Sequence, residues 1–263
     1  MIAGWGQRAD SRFVVWGVAL VGGLCAMGCR SVGLGMELTS SPSPVSYPDW
    51  FLRAPVRGVA VGYAPAWRDV AVAESVAVAD GRMALGLVRP HRVSWEAGYL
   101  SESGVPLSMM GERVREEGTA AAADSVRLPD SVESGGMRLV LLADSREVHS
   151  AVVSGSLRRV GREPAWVRTL PVGGVGEVFA VGVSPVTFRE ESGWQAAERH
   201  ARLLLAASGA TTVRGMERGF GPFGSAVLHL RATAVLSEVH VEARWRDGRS
   251  CFVLVRGKVQ SSN

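Results

Sequence analysis

Cys29 is the side chain whose surroundings most invite chemistry. Arg8 and Arg12 precede an apolar run from Phe13 to Met27, and Ala26 and Gly28 put small residues just ahead of the thiol. A positive start, a short apolar core and small residues before a cut site are the layout of an export signal. The run is about 15 residues, against the roughly 20 that a helix needs to cross a bilayer. Other reactive groups do not converge. His91, His149, His200, His229 and His240 are scattered, with no pair three or four apart to build a helical metal site. The chain has no Gly-x-Ser-x-Gly elbow and no Gly-x-x-x-x-Gly-Lys phosphate loop. Glu112, Glu116 and Glu117 with Arg113 and Arg115 read as a solvated face, because paired carboxylates in acid–base work need a cleft. With no nucleophile–base pair, the expectation is a protein that is not an enzyme and holds no cofactor or metal.

A cysteine directly after the cut resembles the lipobox of bacterial lipoproteins. That resemblance implies removal of residues 1–28 and an acylated Cys29 as the first residue, attached to a membrane of the cell envelope. Several acyl chains hold a protein stably, where one gives only marginal binding. Arg30 follows the cysteine in place of an acidic residue. By resemblance to enterobacterial sorting, this favours the periplasmic face of the outer membrane over the inner membrane. Residues 29–47 are rich in Ser, Gly and Pro without sustained periodicity, which predicts a flexible tether.

The net charge of +4 is spread along the chain without a Lys/Arg cluster. Nucleic-acid binding needs a concentrated basic stripe, so no nucleic-acid partner is expected. Three cysteines are too few for a disulfide framework. Cys25 leaves with the signal and Cys29 carries lipid, so Cys251 stands alone and reads as a buried, inert thiol.

What remains of the chain repeats itself. Pro48-Asp49-Trp50-Phe51, then Pro55, then Val59-Ala60-Val61-Gly62, returns as Pro164-Ala165-Trp166-Val167, Pro171 and Phe179-Ala180-Val181-Gly182 after a four-residue insertion. Each series runs on to an Ala-rich segment with Ala-Glu, at Ala73-Glu74 and at Ala197-Glu198. A single repeat of this length points to duplicated units rather than a solenoid. The expected organisation is a first unit over 48–150, a linker over 151–163 and a second unit over 164–263.

In the second unit, Val178–Val183 reads as a buried strand. Trp194, Ala197, Ala201, Leu204 and Ser208 follow helical spacing, with Glu191, Gln195, Glu198, Arg199 and Arg202 as a solvated face. Val239, Val241, Ala243 and Trp245 alternate with polar residues. Asp247-Gly248 then predicts a hairpin with positive φ at both positions, and Cys251–Val259 returns. In the first unit, Val70 to Leu85 is expected to be the helix, and Ser131–Ala143 a hairpin turning at Ser134-Gly135-Gly136. Met109–Asp124 reads as a helix or a disordered insert.

The Pro-x-Trp, Ala-Val-Gly, Ala-rich helix and Phe-Val-Leu-Val hairpin resemble the Lpp-twenty lipoprotein family and the N-terminal domain of flagellar assembly protein T. The resemblance implies an α+β protein of two dodecin-like β-α-β-β units, each an antiparallel sheet with one packed helix. It brings no catalytic residues. Trp50 and Trp166 read as packing residues, with a ligand-stacking platform as the alternative. Phe220 and Phe223, set among glycines in Arg218–Gly224, are candidate partner contacts, although burial over the sheet edge is the plainer reading. The expected function is binding or assembly at the envelope, through a homo-oligomer or an envelope protein partner, with a flagellar or outer-membrane association implied by the resemblance. A small-ligand carrier is the alternative.

Overall fold

The computed structural model describes residues 45–53, 58–102, 108–122, 126–144, 156–209, 211–218 and 225–261. The expected signal, Cys29, Phe220 and Phe223 lie outside the described residues. The chain is a mixed α+β protein with helices packed on antiparallel sheets.

The first half contributes β1 (Ser46–Pro48), α1 (Asp49–Leu52), β2 (Val59–Pro65), α2 (Val70–Gly86), β3 (His91–Glu102), β4 (Ser108–Glu117), β5 (Val126–Ser134) and β6 (Met137–Asp144). The second contributes β7 (Leu157–Arg159), a 3-10 turn (Ala165–Val167), β8 (Glu177–Pro185), α3 (Glu190–Gly209), β9 (Thr211–Arg218), β10 (Ser225–Arg246) and β11 (Ser250–Ser261). Strands β2, β6 and β5 form one sheet in that order, and α2 packs on it. The second sheet runs β4-β3-β10-β11-β8, with β9 also on β10, and α3 packs on its β8, β11 and β10. Because β3 pairs with β10 from His91↔Leu236 to Glu102↔Ser225, the two halves of the chain share a sheet.

Both helices sit unusually close to their first strand. A Cβ built on Gly62 would lie 1.8 Å from the Ala77 carbonyl oxygen, and one on Gly182 would lie 1.8 Å from that of Ala197. Ala73, Ala77, Gly81 and Leu85 line the buried side of α2; Gly193, Ala197, Ala201 and Leu205 line that of α3. Small residues at a spacing of four let backbone meet backbone, which fixes where each helix lies. Asp69 caps α2, its carboxylate accepting from the Ala71 and Val72 amides at 3.0 and 3.2 Å.

Several expectations need correcting. Residues 108–117 are a strand, not a helix or insert, and the charges explain why. Val114 and Glu116 are half-buried while Arg113, Arg115 and Glu117 are exposed, a period of two. The second half also holds β9, and β10 begins at Ser225, well before Val239. Leu228, Leu230, Ala232, Ala234 and Leu236 carry the same alternation. The Asp247-Gly248 hairpin is in place, but its loop spans 247–249 and neither residue has positive φ. Instead the Asp247 carboxylate accepts the Arg249 and Ser250 amides, both at 2.7 Å. The two-residue turn with positive φ is Gly135-Gly136, at 62° and 71°. The last residues of the segment expected as a tether belong to the fold, since β1 pairs with β7 and Tyr47 is fully buried.

Candidate functional site

The polar face of α3 supplies the site. Glu198 and Arg202 project from it toward the first half, and Arg244 comes to meet Glu198 from β10. The Arg244 guanidinium donates to Glu198 Oε1 at 2.7 Å through Nη2, to the Tyr63 hydroxyl at 2.8 Å through Nε and to the Phe51 carbonyl at 2.9 Å through Nη1. Tyr63, on β2, donates its hydroxyl to the same Glu198 oxygen. Arg244 also lies over the Phe51 ring, 4.9 Å from its centroid. Beside this, Arg202 grips Glu116 of β4 with two hydrogen bonds, 2.9 and 3.0 Å.

A second layer repeats the theme. Tyr47 of β1 donates to Glu190 of α3, and Arg246 pairs with Glu190 at 2.7 Å. Phe51 packs edge-on against Trp194 and Tyr63, at 5.3 and 6.0 Å between centroids, and stacks on Tyr47 at 4.9 Å. Asp80 of α2 accepts the Tyr63 amide at 3.0 Å and the Gln195 side-chain amide at 3.0 Å. Burial pushes the Asp80 carboxyl up to about 6, ahead of the opposing pull of the Tyr63 hydrogen bond. Burial likewise holds the Tyr63 hydroxyl well above its ordinary range, so it stays a donor.

The residues expected to form the solvated face of α3 are therefore a seam. Glu191 and Glu198 are buried, Gln195 and Arg202 meet the first half, and Arg199 alone of the five is exposed. Glu116 is likewise enlisted, and Glu112 accepts the Trp95 indole N–H at 2.7 Å. Leu204 is half-buried while its neighbour Leu205 is fully buried. Trp50 is buried and its indole donates to Asp130 of β5 at 2.7 Å; Trp166 is only half-buried. Phe51, next to Trp50, is the residue that reaches α3.

A cleft opens along the seam, walled by Trp50, Val59, Leu87, Val239 and His240 and floored by Glu198, Arg202 and Arg244. It leaves about 40 Å³ for the centres of water molecules, room for a few waters. Small-molecule sites enclose about 300–1,000 Å³. His91 is buried with Nδ1 donating to the Arg89 carbonyl at 2.9 Å, and burial lowers its pKa. His200 Nδ1 meets the Val183 backbone, 3.2 Å from its amide nitrogen and 3.1 Å from its carbonyl oxygen, and His229 is exposed. Cys251 is buried, and burial pushes its thiol up to about 12. Among the described residues no group of three His, Cys, Asp or Glu could hold a metal ion, and no helix is long and apolar enough to cross a membrane.

No family model matches the chain, no curated protein matches it, and no solved structure matches it.

Proposed function

We propose that this chain is an exported envelope lipoprotein, acylated at Cys29, whose folded part is a binding or assembly module that catalyses no reaction. The observation that carries the reading is the pairing of ionic groups along the seam. Arg244 pairs with Glu198 inside the second half, and from that pair Glu198 takes the Tyr63 hydroxyl, Arg244 the Phe51 carbonyl and neighbouring Arg202 the Glu116 carboxylate, contacts that lock the halves together. A buried ion pair of this kind is weak evidence for stability and stronger evidence for a specified arrangement. The small cleft places the ligand-carrier reading second.

The folded part is two copies of one β-α-β-β unit in this reading. Support comes from a constant offset of 120 residues: Gly62 meets Ala77 and Gly81 as Gly182 meets Ala197 and Ala201. At the same offset, the Tyr63 amide donates to Asp80 and the Val183 backbone meets the His200 ring nitrogen. The sheet orders β2-β6-β5 and β8-β11-β10 correspond as well. The resemblance to the Lpp-twenty family agrees with this, and Arg30 after the cysteine, by the resemblance to enterobacterial sorting, favours the periplasmic face of the outer membrane.

Two measurements test the reading. Cells fed labelled palmitate should incorporate it into the wild-type chain and not into Cys29→Ser; equal labelling of both would remove the anchor. Sedimentation of residues 42–263, which form one compact unit, should show concentration-dependent association with itself or an envelope partner. A strict monomer that captures nothing would sink the assembly role.

A further inference from the structure

The outer face of α2 is apolar and uncovered. Val72, Val76, Ala79 and Met83 follow a spacing of 4, 3 and 4 and so share one narrow stripe. Val72 is 46% exposed, Val76 39% and Met83 45%. They lie opposite the buried Ala73, Ala77 and Gly81, so over this part of the helix two valines and a methionine face outward against small residues inward. Just before the helix, Trp67 is 43% exposed, and Val70 at its first position is 51% exposed. At the corresponding positions α3 carries Ser192, Ala196, Arg199 and Leu203, and this leucine is buried.

We infer that this stripe is a second membrane contact, lying on the surface of the bilayer that holds the acylated Cys29. The inference rests on that anchor. Where the chain enters the fold gives the direction. Val45, the first described residue, lies against the Gly135-Gly136 turn: a Cβ on Gly135 would be 3.2 Å from Val45 Cγ1. The Gly136 carbonyl of that same turn accepts the Ala66 amide at 2.9 Å, which sets Trp67 and the start of α2 beside the chain's point of entry; Glu190 at the start of α3 lies by the same turn, so what distinguishes α2 is its apolar stripe. Residues 29–44 can span at most about 55 Å when fully extended, so the anchor holds the molecule within that distance of the lipid.

Magnitudes favour lipid over a second copy. A stable pairing of two proteins buries about 800 Å² on each partner, far more than one stripe of four side chains offers. A surface contact by an anchored protein needs much less, because anchoring converts docking into an intramolecular event. Tryptophan at the headgroup level with valines beneath is a composition suited to an interface. The exposed Arg68 just before the helix complements anionic headgroups, while Arg89 beyond its other end is exposed but lies 4.0 Å from Asp144.

The acylated full chain should be labelled with an environment-sensitive fluorophore at Ala79→Cys, with Ala196→Cys on α3 as the control. Cys251 is buried and Cys29 carries lipid, so only the introduced thiol reacts. On vesicles of phosphatidylethanolamine and phosphatidylglycerol, the label at 79 should shift to the blue and lose quenching by iodide, while that at 196 should change little. Val72→Ser with Val76→Ser should return the label at 79 to water while the protein still floats with the vesicles. Flotation with a water-exposed label at 79 would overturn the inference and leave the anchor standing. Failure to float would overturn both. Protection of position 79 without vesicles, at twice the monomer mass, would show a second copy on the stripe and also overturn it.

Discussion

Helices α2 and α3 are seated alike and finished differently. Each lies on its sheet through a glycine of the first strand against alanines of the helix, Gly62 on Ala77 and Gly182 on Ala197. Outside that seat they diverge. The polar side of α3 faces the first half of the chain, where Glu198, Arg202 and Gln195 find Tyr63, Glu116 and Asp80. The side of α2 away from its sheet shows Val72, Val76 and Met83 to the outside. The seat needs small residues wherever a helix touches a strand; the remaining faces answer to whatever covers them. Polarity alone therefore does not tell a solvent face from a seam.

The sharpest way to break the comparison is at Glu198. Its equivalent 120 residues earlier is Val78, which packs on the cluster of Ala64, Ala77, Val140 and Leu142. Glu198→Ala leaves Arg244 buried without its carboxylate and should cost about 3–5 kcal/mol in denaturant unfolding. Val78→Ala, an apolar truncation at a half-buried site, should cost roughly 1–2 kcal/mol. Replacing the pair together, Glu198→Leu with Arg244→Met, should recover most of the first loss, because neither charge is then left alone. Equal losses at Glu198 and Val78 would mean that the seam is not held by charge.

The two seats offer the next test. Gly62→Ala and Gly182→Ala each drive a methyl group to 1.8 Å from a helix carbonyl oxygen. Neither neighbour is a flexible side-chain end, so the helix must lift. Each variant should lose about 2–3 kcal/mol by overpacking, and the two midpoints should fall together. A large difference between them would show that the closeness of one helix is dispensable.

Much of this architecture can be read from periodicity. The 3.6-residue spacing from Trp194 to Ser208 marks α3, and the alternation from Val239 to Trp245 marks the end of β10. Strand β4 escapes because Glu112 to Glu117 is wholly charged but for Val114, and a strand with one wet face and one face of ion pairs shows no apolar alternation. The seam escapes for a related reason. Glu198 and Arg202 at a spacing of four look like an exposed helix pair, while the hydroxyl that meets Glu198 belongs to Tyr63, 135 residues away. Nothing local in the sequence encodes that meeting. The repeat of Gly62 and Gly182 was visible, yet its meaning as a backbone contact required the helix above it.

Asp80 and His200 give the finest distinction between the halves. Both meet the backbone of the edge strand beneath them, Asp80 accepting the Tyr63 amide at 3.0 Å and His200 Nδ1 lying 3.1 Å from the Val183 carbonyl oxygen and 3.2 Å from its amide nitrogen, and so blunt an edge that would otherwise invite another strand. Only Asp80 is held in the seam with its carboxyl raised by burial from 3.8 to about 6. The folded chain therefore takes up the Asp80 proton more readily than the unfolded chain does. Its contribution to stability is complete below about pH 4 and is lost as pH rises through about 6, a fall of roughly 2 kcal/mol. Glu74 works in the opposite sense, since hydrogen bonds from Arg138 and Ser131 hold its carboxyl below the ordinary range and its contribution is lost toward acid. Comparing wild type with Asp80→Asn removes that background. The asparagine keeps an acceptor for Tyr63, and Gln195 can turn its carbonyl toward the new amide, so the variant should fold. Its stability relative to wild type should rise between pH 4 and 6, read by urea unfolding at each pH, and a difference that stays flat would place Asp80 in water rather than in the seam.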